Sequence, residues 1–249
     1  MKIFKSQPSL DDYIQNLKDQ NRPYQIIKKN GETTVISDKE KNWGGIYRRP
    51  LKSGNVKSLW IFGYVRNIVK KLEGKIDVDM EPEPVPGVFS DAARFESLDI
   101  GTKFIATDIN HAYWRTAFLL GYITEKCYNR FVGPDYKEIR NKALACLTSR
   151  KHVQDWQGEE LLKEEIIEDK FLTSVYKHIR YTTYTMLMNA GKLAGDSFLK
   201  YKTDCLYYLP DRQPVVEAYL KSQKVGFGSI ECVKVDYNLF LEGDNIKEF

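Results

Sequence analysis

Lys103-Phe104-Ile105-Ala106-Thr107-Asp108-Ile109-Asn110-His111-Ala112-Tyr113-Trp114 is the stretch whose reading decides the fold. Phe104 to Asp108 reads as a strand, a short apolar run that ends on a carboxylate. From Ala112 to Gly121 the pattern turns helical, with Tyr113, Ala117 and Leu120 on one side. Roughly a hundred residues on, Phe198-Leu199-Lys200-Tyr201-Lys202-Thr203-Asp204-Cys205-Leu206-Tyr207-Tyr208-Leu209 repeats the device. Two short strands flank Lys202-Thr203-Asp204, and the turn again carries a carboxylate. The pairing predicts that Asp108 and Asp204 face each other from neighbouring strands and hold divalent metal. Taken singly, each aspartate also fits a structural role, an N-cap for Asp108 and a turn for Asp204.

Around these stretches the pattern is α+β. Asp135 to Ser149 reads as helix, and so does Tyr176 to Ala194, stopped near Gly195. Gly158 to Met188 reads as helix-rich, with acidic runs at Glu159-Glu160 and Glu164-Glu165. Pro214 to Ser222 is a helix opened by a proline in its first turn, and Ile230 to Leu241 supplies one or two strands. From Phe104 onwards the order is strand, helices, β-hairpin, helix, strand, as in an antiparallel sheet backed by helices.

Upstream, residues 6–21 form an amphipathic helix with Ser9 as N-cap and Leu10, Tyr13, Ile14 and Leu17 on one face. Asn30-Gly31 between β-formers signals a hairpin. Residues 1–75 carry 16 Lys+Arg against 7 Asp+Glu, whereas the remainder carries 22 against 27. This asymmetry suits an N-terminal part that meets a polyanion, or a solvated surface that happens to be basic. Trp43, Tyr47, Trp60, Phe62 and Tyr64 are interleaved with basic residues over 41–75. Basic groups neutralise phosphates and aromatic faces stack on unpaired bases. Trp60-Ile61-Phe62 reads better as a core strand, while Arg48, Arg49 and Lys52 follow the flexible Gly44-Gly45 and suit backbone contacts. Val65 to Leu72 reads as a helix. Asp77 to Gly87, acidic and rich in proline, is the best domain boundary. The division is 1–76, a basic N-terminal region; 77–99, an acidic Pro-rich linker; and 100–249, the main domain, with a helical insertion at about 133–195.

The chain has 249 residues, 42% of them apolar and 13% aromatic, enough to bury a core and too apolar for a disordered chain. No apolar run reaches membrane-spanning length, and the N-terminus lacks the apolar core of a signal peptide. Cys127, Cys146, Cys205 and Cys232 are scattered without a CxxC, and the three histidines show no ligand spacing, which argues against a zinc site. These features predict a cytoplasmic protein with reduced thiols and no membrane partner.

Asp108-Ile109-Asn110-His111-Ala112-Tyr113 resembles motif A of family B DNA polymerases, Asp-x-x-Ser-Leu-Tyr-Pro. There the Asp binds metal, and the Tyr packs under the nucleotide sugar and excludes ribose. Asp108 and Tyr113 match; His111, Ala112 and Trp114 replace Ser, Leu and Pro. Tyr201-Lys202-Thr203-Asp204-Cys205 resembles motif C, Tyr-x-Asp-Thr-Asp-Ser, shortened by one residue. Asp204 matches the metal-binding second Asp, Lys202 stands for the first, and Cys205 for the Ser. Between them, Arg140-Asn141-Lys142 lies where motif B carries a Lys that grips the triphosphate, although the Asn-Ser-x-Tyr-Gly ending is absent. The resemblance covers about residues 100–240.

The resemblance implies a polymerase-like palm with a fingers-like insertion and a small basic N-terminal region. It implies a small DNA polymerase or primase-like nucleotidyltransferase of a phage or mobile element, acting in the host cytoplasm. Asp108 and Asp204 would be catalytic and hold Mg²⁺ or Mn²⁺. Tyr113, Arg140 and Lys142 would bind nucleoside triphosphate. Arg48, Arg49, Lys52, Tyr201 and Lys202 would bind DNA or RNA. No full thumb or proofreading domain fits in the length, so a replication partner supplying thumb or processivity is implied. Two rival readings stay open. One is a palm relic that binds nucleic acid or a replication or virion protein without turnover, which Lys202 and the altered motif B favour. The other is a metal-dependent nuclease.

Overall fold

Asp108 lies on the central strand of a seven-stranded antiparallel sheet. In the computed structural model, which describes residues 2–4, 6–29, 32–38, 43–48, 55–78 and 84–249, that strand is β6 (Lys103–Ile109). The sheet runs β13 (Asn245–Glu248), β12 (Leu239–Glu242), β11 (Phe227–Lys234), β6, β10 (Cys205–Tyr208), β9 (Phe198–Lys202), β5 (Val88–Ser90). Strand alternation sends Ile105 and Ile109 to one face and Phe104 and Ala106 to the other. The first face packs, with Leu206 and Tyr208, on α7 (Lys170–Ala194) and α8 (Gln213–Ser222) through Met186, Leu187, Ala190, Val216 and Leu220. The second is covered by Phe95 of α3 (Ala92–Ser97) together with Tyr207, Cys232 and Phe240. Both faces of β6 are therefore buried along most of its length.

The second sheet has six strands, β1 (Lys2–Phe4), β4 (Trp43–Arg48), β3 (Glu32–Asp38), β2 (Pro23–Lys29), β7 (Arg150–Gln157) and β8 (Glu160–Glu168). Only the β1–β4 pair is parallel. α1 (Gln7–Asp19) lies on it through Leu10 and Leu17, against Tyr24, Ile26 and Val35. Lys29 pairs with Glu32 across the Asn30-Gly31 step, as in a hairpin, although those two residues fall outside the described set. The cap of α1 is Ser6, whose hydroxyl accepts from the Ser9 amide, rather than Ser9 itself.

A further core is helical. α2 (Asn55–Lys70), α4 (Ala112–Leu119), α5 (Glu125–Phe131), α6 (Lys137–Ala145) and the first half of α7 bury Ile61, Val65, Trp114, Phe131, Leu144, Leu172 and Val175 together. Three expectations change here. Trp60-Ile61-Phe62 is helical, and only Ile61 of the three is buried. The acidic part of the 133–195 insertion is not helix but the β7–β8 hairpin. That hairpin pairs with β2, so residues 1–76 do not stand alone: they share one sheet with the insertion and one core with α4 to α7. Residues 84–90 also depart from a free linker, because β5 pairs with β9; residues 79–83 lie outside the described set.

The architecture is thus α+β, with antiparallel sheets backed by helices. No helix among the described residues is long and apolar enough to cross a membrane.

Candidate active site

The β9–β10 hairpin brings the second aspartate to the first. In the β6–β10 register Cys205, the residue after Asp204, lies opposite Asp108. The Ile109 amide donates to the Asp204 carbonyl at 2.8 Å, which locks the turn onto the end of β6. Asp108 falls on the face that α3 covers farther along, but here the cover has ended: Asp108, Gly228 opposite it on β11, and Lys202 are all exposed.

Two residues beside the carboxylates adopt left-handed backbone. Thr203 has φ +57° and His111 φ +56°. A β-branched residue rarely adopts that region, and such strain gathers at functional sites. Neighbours hold both in place. The Thr203 amide donates to the Gly87 carbonyl at 2.8 Å. Its hydroxyl lies 2.8 Å from both the Lys202 carbonyl and Asp204 Oδ1, and donates to one of them. His111 opens α4, and its Nδ1 lies 2.7 Å from Arg140 Nη2. Arginine only donates, so Nδ1 accepts and the neutral ring carries its proton on Nε2. Burial, with Arg140 and Lys137 nearby, holds the imidazole pKa below its usual value.

The electrostatics are those of a like-charged pair. Lost hydration, and next the charge of Asp204, push the Asp108 carboxyl up to about 6. Glu242 adds to the rise, while Lys137 and Lys247 oppose it. Glu242 itself is paired with Lys247. Neither Asp108 nor Asp204 has an ion-pair partner among the described residues. A pair of this kind is relieved by protonating Asp108 or by a cation. Among the described residues no group of three His, Cys, Asp or Glu side chains gathers as a metal cage.

Tyr113 projects from the first turn of α4 towards α7. Its hydroxyl donates to that of Tyr184 at 3.1 Å. Arg180, one turn earlier on α7, donates to the same oxygen from Nε at 3.2 Å and Nη2 at 3.0 Å. Burial, and then the Tyr184 bond, raise the Tyr113 phenol far above its ordinary pKa, so it stays a donor; Asp204 contributes to the same rise. Gly87 packs against Tyr184, where a Cβ would come within 2.9 Å of Cζ. The segment that supports Thr203 therefore also supports Tyr184.

The other expected site residues scatter. Arg140 is 1% exposed and spends its guanidinium on the carbonyls of Phe131 (2.5 Å) and Gly133 (2.7 Å) and on His111. It braces the turn that follows Asp108 and is buried away from any triphosphate. Lys142 points to solvent with Glu138 Oε2 at 3.3 Å; on α6 it is Lys137 that lies within electrostatic reach of Asp108. Tyr201 is 2% exposed, and its hydroxyl donates to the Pro86 carbonyl at 3.0 Å, so it is core and offers no face to nucleic acid. Lys202 is exposed on the same face as Asp108, two strands away, and is not ion-paired to it. Arg48 lies on β4, with its side chain outside the described set, as are Arg49 and Lys52.

Arg180, beside Tyr113, and Lys137, near Asp108, are the cations that no motif in the sequence marks. Tyr176, Arg180 and Tyr184 recur at intervals of four, and Arg180 lies over both rings, at 5.6 and 5.5 Å. That spacing was the available signal. Searches of protein-family models, curated proteins and solved structures find no match to this chain.

Proposed function

We propose that the chain is a palm-based nucleotidyltransferase that joins nucleoside triphosphates to a nucleic-acid 3′-hydroxyl. The observation that carries this reading is the adjacency of Asp108 and Asp204, mutually repelling and without an ion-pair partner among the described residues, at the uncovered end of an antiparallel sheet. Asp108 and Asp204 would hold Mg²⁺ or Mn²⁺, hard cations that use one or two protein carboxylates and complete their shell with phosphate and water. Such ions lower the pKa of the attacking hydroxyl and stabilise the pyrophosphate leaving group. Arg180 takes the part first expected of Arg140 and Lys142, neutralising phosphate charge from the helix beside Tyr113. Lys137 adds positive charge on the other flank. Tyr113, held edge-on to Tyr184 with ring centroids 6.1 Å apart, presents a fixed ring surface for the sugar.

A second reading, a binding protein without turnover, is favoured by Lys202, which stands where motif C places its first aspartate, and by the engagement of Arg180 with Tyr184. Primer extension in Mg²⁺ or Mn²⁺ separates the two. Incorporation by the wild type, abolished in Asp108→Asn and Asp204→Asn with the fold intact, is the expected result. Equal incorporation by either variant sinks the reading, and none by the wild type favours the second. Tyr113→Ala is expected to relax discrimination against ribonucleotides, measured as the ratio of rNTP to dNTP incorporation.

A further inference from the structure

We propose that Trp60, Tyr64 and Arg130 form a base-stacking platform for single-stranded nucleic acid. The choice of ligand rests on the reading above; the platform itself rests on separate residues. On α2, Ile61, Val65 and Val69 are buried, yet Trp60 is 50% exposed. An indole left in water on a helix that buries its neighbours is unusual for a side chain with so much apolar surface to hide. Trp60 and Tyr64 are stacked, 5.4 Å apart and 15° from parallel. The Arg130 guanidinium stands 4.7 Å from the Trp60 ring centre and 5.8 Å from that of Tyr64. Arg130 is exposed and has no ion pair among the described residues; Lys126, one turn earlier on α5, is exposed as well.

The platform is braced from beneath. Phe131 is buried and sets its edge against Trp60 and Tyr64, 6.0 Å from each, and it also meets Trp114 and Tyr136. Tyr136 precedes Lys137, the cation within reach of Asp108. Aromatic faces joined to a cation that lacks a carboxylate partner among the described residues match unpaired bases on a phosphate backbone. A duplex keeps its bases stacked and offers them no face. Bound here, a single strand would lie on the helical core that also carries Tyr113 and Lys137.

The test is fluorescence anisotropy of the full chain with a labelled oligothymidylate of roughly 20 nucleotides, without metal, over a salt series. Trp60→Ala should weaken binding by about tenfold or more, the loss expected for a stacked base, while Trp60→Phe keeps most of it. Arg130→Gln should weaken binding and flatten the salt slope by about one. Asp108→Asn should bind at least as tightly as the wild type, so a failure at the carboxylates is told apart from a failure here. Unchanged affinity in Trp60→Ala, with an unaltered circular dichroism spectrum, overturns the proposal. So does a wild type without oligonucleotide affinity; if Trp60→Ala then alters sedimentation, the patch is a contact between proteins.

Discussion

The β7–β8 hairpin and the end of β6 treat their carboxylates in opposite ways. On the β7–β8 hairpin three of the acids have a base within reach: Glu168 is 3.0 Å from Arg150, Glu164 is 2.6 Å from His152, and Glu165 is 2.7 Å from Lys163. Those contacts sit in water and decorate an edge strand, where charge also discourages pairing with other chains. At the end of β6, Asp108 has another carboxylate for a neighbour and two left-handed residues close by. The first arrangement satisfies itself. The second is satisfied only by something added, a proton or a cation. Acids are common in both regions, so acidity alone marks neither; the sign of the neighbour does.

Removing the brace behind the carboxylates should have the largest effect. Arg140→Met leaves two carbonyls and His111 Nδ1 without their donor and should cost about 3 kcal/mol, read by urea unfolding. A loss of triphosphate affinity with unchanged stability would instead return Arg140 to the binding role first expected of it. Gly87→Ala drives a methyl into Tyr184 and should cost about 1–3 kcal/mol, the range for overpacking. It should also raise the KM for nucleotide by disturbing Arg180.

Asp108→Asn should act in the other direction. A carboxyl raised to about 6 in the folded chain, against about 3.9 unfolded, destabilises the fold above pH 6 and ceases to do so below about pH 4. The variant should therefore melt a few degrees higher than the wild type at pH 7.5, an upper limit because Asp108 is exposed and screened. At pH 4 the two should coincide. Equal melting at pH 7.5 would remove the repulsion on which the contrast rests. The smallest effect is expected on the paired sheet, where Glu168→Gln should change stability by less than about 0.5 kcal/mol and show little pH dependence.

Much of this was legible in the chain. Asp108 and Asp204 declare themselves by an apolar run before one and a strand–turn–strand around the other, both local signals. The C-terminal half of α7 and helix α8 were equally plain, since periodicity and a leading proline are local too. Glu160–Glu168 misled because Glu, Leu and Lys favour helix, and pairing with β7 overrides that preference. Trp60-Ile61-Phe62 misled because a short apolar run fits strand and helix alike. Arg140 and Tyr201 are of a third kind. Their side chains suit phosphate and base, and only the fold shows that backbone carbonyls have already claimed them. Arg180 carries no such local mark: it lies well beyond Arg140-Asn141-Lys142, and its link to Tyr113, through the Tyr184 hydroxyl, is a contact between helices.

The central claim is that Asp108 and Asp204 act as one cation site. Its most direct test is Mn²⁺ titration followed by electron paramagnetic resonance, at pH 7.5 and at pH 5, in the wild type, Asp108→Asn and Asp204→Asn. Binding by the wild type at pH 7.5, weakened at pH 5 as Asp108 takes up its proton and lost in both variants, is the predicted result. Mn²⁺ binding that is the same in either variant as in the wild type, or that ignores the change in pH, would contradict it.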